Sequence, residues 1–190
     1  MNEKLDRRKR YTRMVLKDSL MTLLKSKALS GITVKELCEH ADINRSTFYT
    51  HYKDQFDLLR QIEEEIIADM NTYLNQHNFE EKEQALQTTE RLLEYIVSKY
   101  DIFYTLLNEN EDTSFERRVM EVASNFLINN WMNDDEIDQA NSEYLSTFII
   151  SGSIHVIKLW LARNMDKTPH QIAQIINRIA LNGINNCYVD

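Results

Sequence analysis

Side chains that can bind bases and phosphates are concentrated in one short stretch, residues 44–53. Arg45 and Tyr49 lie four residues apart, as do Ser46 and Thr50, so a helix would place both pairs on one side. A guanidinium can bind two acceptors of guanine at once, a threonine methyl can contact the methyl group of thymine, and hydroxyls and cations can bind phosphate oxygens. These residue types at helical spacing favour nucleic-acid recognition.

We therefore assign DNA-contacting roles within and beside this stretch. Arg45 stands at the start of the predicted helix, the end that enters a groove first, and we assign it to guanine. Thr50 is assigned to a thymine methyl group. The remaining candidates are assigned to phosphates, and they are Thr33, Ser46, Thr47, Tyr49, His51 and Lys53. Each could instead be an ordinary exposed helix residue, and Thr33 could serve only as a helix cap.

A helix and a tight turn are predicted immediately before the stretch. Thr33 and Glu36 have the spacing of a capping box, in which a hydroxyl accepts from a backbone amide and a carboxylate reaches back. Leu37 would lie on the inner side of that helix. Asp42 follows it and tolerates the left-handed backbone that such turns often need. Asn44 is then suited to capping the next helix.

The second helix is too short to be stable alone, so it must be held by packing. Phe48 and Tyr52 lie four residues apart and share one side of it. We expect both rings to be core residues. Their packing would leave the opposite, polar side of the helix free to contact a partner.

Three consecutive segments carry a resemblance to a known family. Residues 31–37 (GITVKEL), 41–43 (ADI) and 45–52 (RSTFYTHY) resemble the DNA-binding domain of the TetR/AcrR family of bacterial transcriptional repressors. Two positions depart from that pattern: Asp42 stands where the family often has Gly, and Gln55 stands where it often has a Lys that touches a phosphate. The first departure should change the turn little, whereas the second removes one phosphate contact.

The resemblance implies an all-α protein with an N-terminal helix-turn-helix DNA-binding domain of three helices in residues 1–53. A connector helix would begin at residue 54, within a helical regulatory and dimerisation domain of residues 54–190. The resemblance further implies a homodimer that binds a pseudo-palindromic double-stranded DNA operator, represses transcription and is released by a small-molecule effector. A DNA-bound dimer that a protein partner controls through the C-terminal domain, without a small molecule, is the alternative.

Composition is consistent with this architecture. The chain has 190 residues with only three Gly and one Pro, and so few helix-breaking residues predict helices, about nine of them, with short connections. No apolar run approaches the roughly 18–20 residues of a membrane span, and no signal peptide is visible. Cys38 and Cys187 make no pattern and are expected to be reduced thiols. We therefore expect a cytoplasmic protein with no membrane partner.

Charge is distributed unevenly along the chain. Residues 1–53 contain twelve Lys/Arg and six Asp/Glu, a net charge of +6, whereas residues 54–190 contain ten and twenty-four, a net charge of −14. The whole chain therefore carries −8. A basic N-terminal part on an acidic body is an electrostatic arrangement for binding phosphates at one end only.

Three expectations concern the helices around the candidate site. Residues 1–10 are expected to form a mobile basic arm, with helical spacing beginning near Tyr11. Gly31 is expected to close the first helix with a left-handed cap. Phe56, near the start of the fourth helix, is expected to face inward.

The last two helices are apolar to an unusual degree. From about residue 138 to 164 the sequence is apolar nearly all round a helix, which requires burial on both sides and hence a partner. Thr168 and Pro169 form the start of the final helix. We expect these helices to form a dimer interface that includes Phe148, Gly152, His155, Trp160, Ile172, Ile176, Ile179 and Gly183. A monomer whose eighth helix is simply central is the alternative.

The body also suggests a ligand pocket and lacks a catalytic pattern. Candidate pocket residues are Tyr73, Phe103, Met120 and Trp131, although each could be plain core. The five histidines make no metal-binding spacing with Cys or carboxylates, and no phosphate-binding Gly loop or nucleophile elbow occurs, so we expect no metal, no cofactor and no enzyme. The C-terminal half loosely resembles a TetR subgroup that includes regulators of dihydroxyacetone use, from which we transfer no ligand.

Overall fold

The computed structural model describes residues 2–75, 82–109, 114–131 and 139–186, and these form nine α-helices and no strand. The all-α prediction is therefore confirmed. The helices are α1 Asn2–Leu24, α2 Val34–Ala41, α3 Arg45–Tyr49, α4 Gln55–Asn75, α5 Lys82–Ser98, α6 Tyr100–Tyr104, α7 Ser114–Trp131, α8 Gln139–Ala162 and α9 Pro169–Asn186. A 3-10 turn, Leu29–Gly31, precedes α2, and a π-helical turn, Thr105–Glu109, follows α6.

The helices form two compact units. The main segment of the first unit is Met1–Ile66 and the second unit begins at Ile67, so α4 contributes to both. The first part of α4, which the sequence analysis treats as a connector from residue 54, thus belongs to the first unit. The division into a DNA-binding domain of residues 1–53 and a regulatory domain of residues 54–190 stays a prediction.

A small apolar core holds the first unit together. Leu16 and Leu20 of α1, Leu37 of α2, Phe48 of α3 and Leu58 of α4 are all fully buried. Burial of each such side chain contributes roughly 1.5–3 kcal/mol. This packing explains how α3, with only five residues, can exist at all, since a helix of that length is unstable in isolation.

Three expectations about this unit are wrong. Residues 2–10 are helical rather than a mobile arm, because they continue α1 with good helix formers and an ion pair of 2.5 Å between Asp6 and Arg10. Gly31 has no positive φ, because α1 ends earlier, at Leu24, and the glycine lies in the 3-10 turn instead. Phe56 is 50% exposed rather than inward-facing.

The second unit packs helices in pairs. Helix α5 packs on α9 and α7 packs on α8 around a core of large side chains. Leu93, Phe103, Phe115, Trp160 and Leu161 are each at most 2% exposed. The centroids of the rings of Phe103 and Phe115 are 6.1 Å apart, which fits favourable aromatic packing.

Side chains cap the starts of α4 and α9. Asp54 Oδ1 accepts from the amide of Asp57 at 2.8 Å at the start of α4. At the start of α9, the Gln171 amide donates to Thr168 Oγ1 at 3.2 Å and the Thr168 amide donates to Gln171 Oε1 at 3.0 Å. Thr113 and Glu116 have the spacing of a further capping box in the sequence, and Thr113 lies outside the described residues.

Candidate functional site

The turn between α2 and α3 has the backbone that the sequence predicts. Asp42 closes α2 in the left-handed region, with φ 53° and ψ 44°. The amide of Ile43 donates to the carbonyl of Cys38 at 2.9 Å, so the end of α2 is satisfied within the turn. The chain is thereby redirected into α3 within a few residues.

Thr33 acts as the cap of α2. Its Oγ1 accepts from the amide of Glu36 at 3.2 Å. Lys27 forms an ion pair with the Glu36 carboxylate and, together with the amide of Thr33, holds the pKa of Glu36 below its usual value. The capping box of the sequence analysis is therefore confirmed, and any contact of Thr33 with a phosphate would be an additional role.

The start of α3 differs in detail from the prediction. Asn44 occupies the cap position with extended backbone, but its side chain makes no capping hydrogen bond. Its carbonyl oxygen instead accepts from the amides of Thr47 at 2.9 Å and Phe48 at 3.1 Å. The amides of Thr47 and Phe48 thus have a backbone acceptor, and Asn44 supplies no side-chain acceptor to the amides that precede them.

The inner side of α3 is formed by two rings. Phe48 is fully buried and Tyr52 is 2% exposed, and their ring centroids are 5.6 Å apart. Both were predicted to be core residues, and the structure confirms this. Their packing fixes the rotation of α3 about its axis, and this rotation decides which side chains point outward.

The outer side of α3 carries the predicted DNA contacts. Arg45, Ser46, Tyr49, Thr50 and Lys53 are exposed, as is Thr33 at the start of α2, while Thr47 and His51 are half-buried. Arg45 forms no ion pair with the residues that the structure describes, so its guanidinium is available. Thr50 Oγ1 donates to the Thr47 carbonyl at 2.6 Å. Because the Thr50 hydroxyl donates its only proton internally, it cannot donate to a phosphate, and its methyl group and acceptor oxygen are left for a ligand.

Basic residues of α1 extend this surface, and sequence reasoning missed them as site residues. Partial burial and the positive charges of Arg13 and Lys9 lower the pKa of His51 from its usual value and so favour the neutral imidazole. Lys9 and Arg13 are four residues apart and thus share one side of α1. This spacing is the sequence signal for a shared side of α1, and the expectation of a mobile arm over residues 1–10 hides it.

The second unit contains an internal cavity of about 120 Å³. Its lining is contributed by six elements, α4, α5, α6 with the turn that follows it, α7, α8 and α9. Of the predicted pocket residues, Phe103 lines this cavity. Tyr73 and Met120 do not, because the register of α4 and α7 presents Met70 and Val119 instead. The side chain of Trp131 lies outside the described residues.

The outer surface of α8 and α9 is apolar and exposed. Tyr144 is 78% exposed, Phe148 74% and Leu159 51%, and they recur with the exposed Gly152 and His155 at intervals of three or four residues along α8. On α9, Ile175 and Ile179 are also exposed, the latter by 59%. These residues form one apolar stripe on each helix, which we call the outer face.

Three predicted interface residues lie elsewhere. Trp160 is 2% exposed and its Nε1 donates to the carbonyl of Lys167 at 2.9 Å, because one residue of helical rotation from Leu159 turns it into the core. Ile172 is likewise buried, and Ile176 lines the cavity. The surroundings of Gly183 lie outside the described residues. Phe148, Gly152, His155 and Ile179 are on the outer face.

One helical segment, Ser142–Ala162, is long and apolar enough to cross a membrane by length and composition. It is 28% buried and includes His155 and Lys158, and the Lys158 ammonium pairs with Glu116 at 2.6 Å. Within the described parts of the chain, no three His, Cys, Asp or Glu side chains come together as a metal site would require.

Comparisons with known proteins agree with this architecture. A TetR family model described as "Transcriptional regulator C-terminal region" matches residues 83–182, more than half of the chain. The uncharacterised HTH-type transcriptional regulator YxbF of Bacillus subtilis (strain 168) is 34% identical over 65 residues, which is 34% of this chain and 16% of that protein. The match therefore spans less than a fifth of that relative.

Similar solved structures have the same fold. A TetR transcriptional regulator from Streptococcus agalactiae 2603V is 21% identical with a TM-score of 0.68, over 95% of this chain and 99% of that one. The dihydroxyacetone kinase operon activator DhaS is 19% identical with a TM-score of 0.62, over 92% and 97%. FadR from Bacillus subtilis, solved with stearoyl-CoA, is 12% identical with a TM-score of 0.67, over 90% and 98%. The chain belongs to the TetR family of transcriptional regulators, whose members bind DNA.

Proposed function

We propose that the chain is a homodimeric repressor that binds a pseudo-palindromic DNA operator through the outer side of α3 and is released by a small-molecule effector. The observation that carries the DNA-binding part is the orientation of α3. Phe48 and Tyr52 are buried in the first unit, while Arg45, Tyr49 and Thr50 face outward. A rigidly seated helix with an exposed polar side is what groove recognition requires.

The roles of the side chains follow from their chemistry and exposure. Arg45 reads guanine and the Thr50 methyl contacts thymine, while Thr33, Ser46, Thr47, Tyr49, His51 and Lys53 bind phosphates. Lys9 and Arg13 of α1 add positive charge beside His51. The first unit thus provides base contacts from one helix and phosphate contacts from its surroundings, at the cytoplasmic location where DNA is found in bacteria.

The outer face supports a dimer. Exposed Tyr144, Phe148 and Leu159 on α8, with Ile175 and Ile179 on α9, make an apolar surface that water disfavours and that a second copy of the chain can cover. A two-fold dimer would present two copies of α3 to one side of the DNA, about 34–36 Å apart or a multiple of that distance.

The internal cavity supports control by a small molecule. It is formed within the second unit, and α4, which begins six residues after α3 ends, supplies Met70 and Leu74 to its wall. FadR of Bacillus subtilis binds stearoyl-CoA, as its solved complex records. Because a ligand in this cavity would touch α4, its binding could alter the geometry of α4 and so bias DNA affinity.

Control by a protein partner is the second candidate. The observation that favours it is the net charge of −14 on residues 54–190, which a basic partner could recognise. In that case the partner, and no small molecule, would change operator affinity. An effector screen that uses purified protein and operator alone separates the two candidates.

The experiment that tests DNA recognition is selection of bound duplexes from random DNA. The proposal expects an inverted repeat with half-sites spaced by 10–10.5 base pairs or a multiple of that. Selection of unrelated sequences, or of a single half-site by a monomer, would contradict it. Arg163→Ala, in the turn that follows α8, is the matched control for Arg45→Ala, since it removes the same charge from the body and should leave the selected sequence unchanged.

A further inference from the structure

We infer that the effector is a small, uncharged and largely apolar molecule that carries at most one or two hydrogen-bond donors, such as a medium-chain alcohol or a phenol. Only the regulatory role of the ligand in the cavity rests on the proposed function. The binding preference itself follows from the walls of the cavity.

The residues that the structure describes contribute no charged side chain to the walls of the cavity. All of these described lining residues are apolar except three, Thr88, Thr89 and Ser153. An ionised ligand group would therefore leave water for apolar surroundings without a counter-charge, which is strongly unfavourable. A molecule with a carboxylate, phosphate or ammonium group enclosed in the cavity is excluded by this chemistry.

Two of the three hydroxyls in the wall, those of Thr89 and Ser153, can accept a hydrogen bond from a ligand but have no proton left to donate. Thr89 Oγ1 donates to the Ala85 carbonyl at 3.0 Å, and Ser153 Oγ donates to the Ile149 carbonyl at 2.7 Å. Each hydroxyl has only one proton, so what remains is its oxygen as an acceptor. A ligand hydroxyl can satisfy that acceptor, whereas a ligand carbonyl would find no donor on either side chain.

The volume sets the size of the ligand. The cavity holds about 120 Å³, and an apolar engineered cavity of about 150 Å³ is known to stay dry and bind benzene. A six-carbon alcohol or a single aromatic ring, with roughly seven non-hydrogen atoms, is thus of suitable size. A polyol of similar size would bury several hydroxyls with too few partners, so a dihydroxyacetone-like molecule does not match these walls.

Two substitutions change the cavity in opposite directions. Ala123→Met adds a side chain to the wall contributed by α7 and should fill the cavity. Phe103→Leu replaces a ring in the wall by a smaller side chain, so it should enlarge the cavity and favour a ligand with a longer chain. Ala68→Met is the control for the first change, because Ala68 is exposed on α4 and does not line the cavity.

Direct binding to the full-length protein, measured by calorimetry, tests the ligand class. We use 1-hexanol, 1-octanol, glycerol and n-hexylammonium as probes. Wild type should bind 1-hexanol saturably, and at least tenfold more tightly than either glycerol or n-hexylammonium. Ala123→Met should weaken 1-hexanol binding at least tenfold while Ala68→Met leaves it unchanged, and Phe103→Leu should shift the preference towards 1-octanol.

Several results would overturn the inference. These are binding of glycerol or n-hexylammonium as tight as that of 1-hexanol, hexanol affinity that is the same in Ala123→Met, and an unchanged chain-length preference in Phe103→Leu. Should Ala123→Met fail to fold, Phe103→Leu alone decides the question.

A second measurement separates the ligand from its regulatory role. 1-Hexanol should release a selected operator duplex from wild type and should have at least tenfold less effect on Ala123→Met. Saturable hexanol binding without release would overturn the effector assignment while DNA recognition stands. Failure of the protein to select any operator would instead overturn the proposed function and would leave the measured ligand preference intact.

Discussion

Arg13 of α1 places its Nη2 atom 3.3 Å from Oε1 of Glu65 on α4, and Lys17, one turn further along α1, pairs with the other oxygen of the same carboxylate. The guanidinium of Arg13 also interacts with the Tyr52 hydroxyl, and this interaction raises the pKa of Arg13. The Glu65 carboxylate thus joins α1 to α4, and it does so beside Tyr52, whose buried ring helps to hold α3 in place. All of these groups belong to the first unit.

Glu65→Gln should loosen this junction. The substitution removes the charge that two cations share, so we expect the free energy of unfolding to fall by about 1 kcal/mol at low salt, and by less at high salt because the pair of Arg13 and Glu65 is about half exposed. Glu64→Gln is the control, since Glu64 pairs only within α4, with Arg60 at 2.7 Å, and should cost a few tenths of a kcal/mol. Urea denaturation at two salt concentrations provides the comparison. Equal losses for both variants would contradict the special role of Glu65.

Phe48→Ala and Tyr49→Ala should distinguish the packing of α3 in the first unit from the binding of DNA by the same helix. Because Phe48 is fully buried, its truncation should lower the free energy of unfolding by about 3–5 kcal/mol and abolish operator binding. Tyr49→Ala, next along the chain but 58% exposed, should change stability by about 0.5 kcal/mol or less and reduce only DNA affinity. Thermal denaturation and operator titration distinguish the two losses. A stable Phe48→Ala protein with normal affinity would show that α3 is held in another way.

The pKa of His51 gives operator binding a pH dependence. In the free protein, burial and the charges of Arg13 and Lys9 lower the pKa of His51, so protonation of the ring on acidification disfavours the folded state. A phosphate next to the ring would raise that pKa, and binding would then take up a proton. Operator affinity should therefore rise as the pH falls from 7.5 to 5.5, by up to about tenfold for each unit of difference between the free and bound pKa.

Two variants test the assignment of this proton. His51→Gln should flatten the pH dependence, whereas His170→Gln, on α9 where the ring pairs with Glu90 of α5, should leave it as in wild type. Titrations of a labelled operator at a series of pH values, at constant ionic strength, measure both slopes. A slope that survives in His51→Gln would place the proton elsewhere.

Phe148→Glu should disrupt the dimer. Phe148 is 74% exposed in one chain, so the substitution costs the monomer little, but it places a charge in the middle of an apolar interface. Sedimentation velocity should show a shift to monomer, and operator affinity should fall because the two half-sites are no longer bound together. Gln87→Glu adds the same charge to an exposed position of α5 and should remain dimeric. A monomeric wild type would contradict this account of the outer face.

Local chemistry made much of the first unit predictable. The hydroxyl of Thr33, the left-handed backbone of Asp42 and the buried rings of Phe48 and Tyr52 follow from residue type and spacing over a few positions. The errors came where several weak preferences compete. Residues 2–10 have both the basic charge of an arm and the propensity of a helix, and the helix prevails.

In the second unit, the sequence predicts the helices but not the surroundings of their apolar side chains. Helical periodicity identifies an apolar helix but cannot say whether a given apolar side chain meets the core, a cavity or a partner. Leu159 and Trp160 are neighbours in sequence, yet the first is 51% exposed and the second is buried. On α4, Tyr73 is the predicted cavity residue, but Met70 lines the cavity instead. These distinctions depend on a helical register that only packing against other helices fixes.

Arg45→Ala provides the most direct measurement of the central claim that α3 reads base sequence. Affinities of wild type, Arg45→Ala and Lys53→Ala should be measured for a selected operator and for random DNA across a range of salt concentrations. For Arg45→Ala the account predicts a loss of about 1–3 kcal/mol on the operator and a much smaller loss on random DNA. Lys53→Ala should weaken both alike and reduce the salt dependence by about one phosphate contact. Equal losses on operator and random DNA for Arg45→Ala would contradict the account.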